Sequence, residues 1–143
     1  MARIKIDLPQ QFSFSTLIPV RITDLNYGGH VGNDTILSII HEARVQFLKS
    51  HGYEELNLEG VGLIMSDVAI EFKSELFYGD TITVYVTTGD FTGVAFDVYY
   101  KVQKEITGQI MVVAIAKTGM VCYDYQKKKI VAIPEEAKAK LMP

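Results

Sequence analysis

Along residues 33–51 apolar side chains recur at helical spacing: Ile36, Ile40, Ala43 and Phe47 form one stripe, and Leu37, Ile39 and Leu48 widen it. A stripe this broad predicts a long, largely buried helix. Asn33 or Asp34 is placed to cap its start, Asp34 also suits the positive end of the helix dipole, and His51-Gly52 offers a cation and a left-handed glycine at the other end. Beyond residue 60 the period drops to two. Val68, Ile70 and Phe72 alternate with Ala69 and Glu71; Ile82, Val84 and Val86 with Thr81, Thr83 and Tyr85; Val94, Phe96, Val98, Tyr100 and Val102 with Ala95, Asp97, Tyr99, Lys101 and Gln103. Each run predicts a half-buried antiparallel strand. Residues 110–116 are apolar on both faces, as in a central strand or one whose outer face meets another subunit, and the run continues toward Tyr123. Residues 89–93 and Thr107-Gly108 have turn composition. Ahead of the helix, residues 17–23 read as a first strand with Val20 and Ile22 on one face. Behind the strands, Pro134 followed by Glu135-Glu136 opens a short tail helix.

One long helix followed by hairpin-joined strands excludes a parallel doubly wound sheet, which needs a crossover helix after each strand. The expected fold is therefore α+β, one domain over residues 1–143, with an antiparallel sheet wrapped around a central helix. A hydrophobic content of 48% in 143 residues leaves little apolar surface to spare for solvent, so a homo-oligomer, dimer or tetramer, is expected. The net charge of −3 gives no electrostatic reason to bind nucleic acid or an anionic membrane. Lys127-Lys128-Lys129 is too short a basic run to change this and reads as a solvated hairpin turn. The single cysteine, Cys122, sits in an apolar strand-like run and reads as a small buried residue. It fits a reducing compartment, and with no signal-like start and no stretch of roughly 18 apolar residues, a cytoplasmic protein is expected.

Chemistry concentrates between the first strand and the helix, in Asp24-Leu25-Asn26-Tyr27-Gly28-Gly29-His30-Val31-Gly32-Asn33-Asp34. A loop that opens onto a helix start presents unpaired N–H groups at the positive end of the dipole, which suits a developing oxyanion or a thioester carbonyl. Backbone N–H groups of Val31, Gly32 and Asn33 are the expected donors. The loop fits neither the dinucleotide fingerprint nor the Walker lysine pattern, and no Cys/His cluster has metal-ligand spacing, so neither a metal nor a cofactor is expected.

Three segments in order carry a resemblance: the loop itself, then Glu42-Ala43-Arg44-Val45-Gln46-Phe47-Leu48, then residues 70–80, which end in Gly79-Asp80. Together they resemble the 4-hydroxybenzoyl-CoA thioesterase type of acyl-CoA thioesterase, over nearly the whole chain. The resemblance implies the hotdog fold and hydrolysis of an acyl-CoA or acyl carrier protein thioester. It also implies a dimer joined edge to edge, with sites at the subunit interface and dimers often pairing as tetramers. One position departs from the family. Where many such enzymes carry a catalytic carboxylate this chain has Asn26, and an amide exchanges hydrogen bonds but takes no proton.

Candidates for the remaining roles are weighed against plainer ones. His30 is a general base or a donor to the thioester carbonyl; without the resemblance it is a loop histidine. Asn26 orients a water or the carbonyl, or simply satisfies turn backbone. Asp24 acts through water, or pairs with Arg21 or Arg44. Glu42, with Gln46 and no cation at i+4, pairs with an arginine from elsewhere or serves as a base of raised pKa. Asn33 binds substrate or only caps the helix, Ser66 touches a water or substrate or is a tolerated strand residue, and His41 packs. Two other functions remain open. A binding protein could keep the pocket without the carboxylate at position 26, and a hotdog dehydratase or hydratase would need an acid and a histidine facing an enoyl chain.

Overall fold

The computed structural model describes residues 2–143. In chain order the elements are β1 (Phe14–Pro19), α1 (Asn33–Ser50), β2 (Gly62–Phe72), β3 (Thr81–Gly89), β4 (Ala95–Ile106), β5 (Gln109–Asp124), β6 (Lys129–Ile130) and α2 (Glu135–Leu141). The strands form one sheet in the order β1-β3-β4-β5-β2, with β6 paired to β5 and every pairing antiparallel. It wraps α1 in the hotdog arrangement. The alternation of β3 and β4 fixes which face is inward: Ile82, Val84, Val86, Phe96, Val98, Tyr100 and Val102 are buried and meet Ile40, Ala43 and Phe47 of the helix.

Several local expectations change. Residues 17–23 are not one strand: β1 ends at Pro19, Val20 donates its N–H to the Asp80 carbonyl (2.8 Å), and Ile22–Asp24 form a 3-10 turn that leaves Ile22 exposed. The cause lies in Asp24, whose carboxylate accepts the Arg21 N–H (2.8 Å) and curls the chain back on itself. The helix has Gly32, not Asn33 or Asp34, at its N-cap, with no side-chain cap bond. Its far end stops at Gly52 (φ +82°) as expected, but the cation of the last turn is Lys49. Burial and then Lys140 hold the His51 imidazole below its ordinary pKa. Nor is α1 buried all round, since Ser38, His41, Glu42, Val45 and Lys49 are exposed on the side away from the sheet. Val68 and Phe72 are exposed as well, because β2 is an edge strand paired only to β5.

Strand β5 is central, between β4 and β2, and the apolar Ile110 and Met111 protrude at its exposed tip. The hairpin there joins Ile106 to Gln109 through Thr107 (φ +48°) and Gly108 (φ +79°). Two successive left-handed residues make the type I′ geometry that asparagine-glycine suits and a β-branched threonine does not. Thr107→Asn is therefore expected to stabilise the fold by about 1 kcal/mol, read as a higher urea midpoint with an unchanged slope. An unchanged or lower midpoint would show that this turn carries no strain.

Candidate active site

The loop before α1 is built largely by Asn26. Its N–H donates to the His30 carbonyl (2.9 Å), its carbonyl accepts from the Gly29 N–H (3.1 Å), and its side-chain Oδ1 accepts from the Gly28 N–H (2.8 Å). Gly29 supplies the left-handed conformation of the turn (φ +82°), and Tyr27 projects fully into solvent from its tip. Val31 then leaves the loop and donates its N–H to the Leu76 carbonyl (2.9 Å), tying the helix entrance to the segment between β2 and β3.

That segment is anchored in turn. Lys104 of β4 is buried, with its ammonium donating to the Glu75 carbonyl (2.7 Å) and the Asp80 carboxylate (3.0 Å), and Asp80 also accepts the Phe77 N–H (2.9 Å). A buried lysine is tolerable only when paired. Here the pairing holds the stretch from Glu75 to Asp80 against the helix entrance.

Between these two anchored pieces lies a cleft of about 360 Å³ lined by His30, Val31, Asn33, Ile36, Phe72, Lys73, Ser74, Glu75, Leu76 and Val113. His30 Nδ1 lies 3.2 Å from the Val31 carbonyl. A carbonyl only accepts, so Nδ1 carries a proton, and in the neutral ring the lone pair is therefore on Nε2. Nε2 stands 3.9 Å from Glu75 Oε1. Thr35 and Ile36 close the first helical turn onto the Gly32 carbonyl, whereas the N–H groups of Gly32, Asn33 and Asp34 have no backbone acceptor among the described residues. Those three, not Val31, are the free donors at the positive helix end.

The other expected acids lie elsewhere. Asp24 and Glu42 line a second cleft, of about 390 Å³, between β1 and the outer side of α1. Asp24 is buried and bound to the Arg21 N–H and guanidinium (3.3 Å), the plainer of its two readings. Glu42 is exposed and has no arginine partner among the described residues, against the expected pairing with an arginine from elsewhere; it accepts from the Gln46 amide (3.0 Å) one helical turn on. Ser66 is the extra residue of a β-bulge in β2, and its hydroxyl donates to the Gly119 carbonyl (3.2 Å), outside both clefts. Asn26 lines neither cleft but borders His30, since a Cβ added at Gly28 would lie 3.2 Å from Asn26 Oδ1 and 3.5 Å from His30 Nε2. His41 does not pack: it is exposed, 3.1 Å from Glu55. Among the described residues no three His, Cys, Asp or Glu side chains converge as metal ligands would. Sequence reasoning missed the part played by Glu75, although it lies within the motif ending in Gly79-Asp80, and by Lys104; for the latter, a lysine at an inward position of an alternating strand was the available signal.

Comparison with known proteins adds a family to this geometry. A family model described as the thioesterase-like superfamily matches residues 20–141. A relative from Aquifex aeolicus (strain VF5), an esterase by provisional description, is 28% identical over 119 residues, 82% of this chain and 88% of its own. Among solved structures, the 1,4-dihydroxy-2-naphthoyl-CoA thioesterase from Synechocystis superposes with a TM-score of 0.79 at 22% identity, covering 90% of this chain and 94% of that one. A variant 4-hydroxybenzoyl-CoA thioesterase in complex with 4-hydroxybenzoyl-CoA gives 0.81 at 15% identity, over 90% and 97%. At these identities the two structures speak to the fold.

Proposed function

The chain belongs to the thioesterase-like superfamily, and from that premise we propose that it is a thioester hydrolase acting on acyl-CoA or acyl carrier protein thioesters. The observation that carries this reading is that one cleft is lined both by His30 and by Asn33, the first residue of the helix, whose N–H, like those of its neighbours Gly32 and Asp34, has no backbone acceptor among the described residues. The thioester carbonyl would sit at Gly32, Asn33 and Asp34, whose N–H groups stabilise the oxyanion by about 3 kcal/mol. His30 Nε2 takes a proton from water as the water oxygen bonds to the carbonyl carbon. The intermediate collapses, the C–S bond breaks with its electron pair going to sulfur, and the thiolate takes the proton back from the imidazolium. Asn26, whose Oδ1 accepts the Gly28 N–H, orients the water or the thioester carbonyl.

The open edge of β2 carries exposed Ile64, Met65, Val68 and Phe72, which supports an edge-to-edge homodimer, alone or paired as a tetramer. Phe72 also lines the cleft, so the partner would sit beside the site. No helix among the described residues is long and apolar enough to cross a membrane, in keeping with the cytoplasmic location we propose.

Free-thiol release from short, medium, long and aryl acyl-CoAs tests the reading. The chain adds no background of its own, because Cys122 is buried and its thiol pKa is pushed up to about 11. The amide at position 26 favours a second reading, a binder that keeps the cleft without the chemistry. The two readings part on Asn26→Asp. For a hydrolase it changes kcat by less than about tenfold, because a water-orienting role survives the exchange; a large gain over an inert wild type would identify a binder.

A further inference from the structure

The hydrolase reading leaves position 26 without its acid, and the cleft itself contains a carboxylate. We propose that Glu75 supplies the carboxylate that Asn26 cannot, holding the attacking water together with His30; this rests on the hydrolase reading above. Among the described residues that line the His30 cleft, Glu75 is the only acid, because Asp24 and Glu42 open onto the other cleft.

The gap between Glu75 Oε1 and His30 Nε2, 3.9 Å, is too long for a direct hydrogen bond and right for a shared water. One oxygen can stand about 2.8 Å from both atoms. With the imidazole neutral and its Nδ1 proton directed at the Val31 carbonyl, both atoms are acceptors. The water would therefore give one hydrogen to each and turn its lone pairs outward, toward a carbonyl held at the helix entrance. As its oxygen bonds to the thioester carbon, one proton passes to Nε2. Glu75 remains ionised and faces the imidazolium until the departing thiolate removes that proton. The product acid loses its remaining proton to solvent.

Glu75 is suited to the task by its backbone. Its carbonyl accepts from the buried Lys104 ammonium (2.7 Å), and the carbonyl of the next residue, Leu76, holds Val31 at the helix entrance (2.9 Å). The carboxylate is thus referenced to His30 through two short bonds, while its side chain remains 62% exposed and open to water. An ordinary surface glutamate has neither fastening.

Glu75→Gln keeps the shape and removes the anion. On the best acyl-CoA it is expected to lower kcat by about 10–10²-fold with little change in KM, the melting temperature staying that of the wild type. Asn26→Asp, introduced into the Glu75→Gln chain, is expected to restore most of the lost kcat, which no purely structural role for Glu75 would allow. Retention of kcat within about twofold in Glu75→Gln, while His30→Asn loses it, overturns the assignment and leaves the hydrolase standing. Loss without recovery by Asn26→Asp overturns it too. A wild-type chain inert toward every acyl-CoA and carrier-protein thioester removes both readings together.

Discussion

His30→Ala is expected to lower kcat/KM on the best acyl-CoA by about 10²–10³-fold, most of it in kcat. Without the imidazole the attacking water has no neutral nitrogen to receive its proton, and the thiolate leaves unprotonated. The oxyanion donors at Gly32, Asn33 and Asp34 are backbone groups that the substitution leaves in place, so residual turnover above the uncatalysed rate should survive. His30→Asn separates chemistry from architecture. Its amide nitrogen can still donate to the Val31 carbonyl, as Nδ1 does at 3.2 Å, but it accepts no proton. Both variants should therefore lose turnover alike and melt close to the wild type. Turnover by His30→Asn near the wild-type rate would show that the ring only braces the loop.

The largest effect on stability is expected at Glu55. Arg44 projects from α1 into the core, with Nε donating to Glu55 Oε1 (3.1 Å) and Nη1 to the Tyr100 hydroxyl (3.1 Å), which also pairs with the Thr118 hydroxyl at 2.7 Å. Desolvation works against the guanidinium charge, and the Tyr100 oxygen and Glu55 carboxylate more than offset it, leaving its pKa above the ordinary value. Burial raises the Tyr100 phenol, so at neutral pH Glu55 is the anion that compensates Arg44. Removing it by Glu55→Ala strands a cation that is only 6% exposed and should cost about 3 kcal/mol, lowering Tm by roughly 10 °C.

Arg44→Met should cost less, about 1 kcal/mol, because Tyr100 keeps Thr118 and the quarter-exposed Glu55 keeps His41 (3.1 Å) and gains water. The double variant should then be little worse than Arg44→Met alone, a non-additivity that urea denaturation resolves. Equal and additive losses would mean that the ion pair is incidental and that only packing was removed.

The elements were largely legible because each writes its period into neighbouring positions. Ile36, Ile40, Ala43 and Phe47 announce the buried side of α1, and Phe96, Val98, Tyr100 and Val102 the inner face of β4, because residues one turn or two positions apart share an environment. Where a local rule was outvoted by a side chain, the reading slipped. Val20 and Ile22 alternate like strand residues, yet Asp24 folds the chain back to bond the Arg21 N–H. Asn33 looks like a cap, yet Gly32 occupies that place. Lys104 continues the inward phase of β4, where an apolar side chain would be expected; its partners, the Glu75 carbonyl and Asp80, lie 29 and 24 residues away.

The candidate site divides along the same line. Motif residues close together in the chain, Gly29, His30, Val31 and Asn33, were recognisable by type and order, and together with the two later segments they pointed to the loop, the helix entrance and the family from the amino acids alone. The choice among acids was not. Asp24, Glu42 and Glu75 are chemically similar carboxylates on different elements, and which of them faces His30 depends on how the segment after β2 docks against the helix entrance through the Val31–Leu76 and Lys104–Glu75 bonds. Arg44 and Tyr100, 56 residues apart, likewise meet only because strand register brings them together. Local periodicity is set by the backbone geometry of each element, whereas the partner of a side chain is set by packing between elements, and no spacing along the chain encodes that distance.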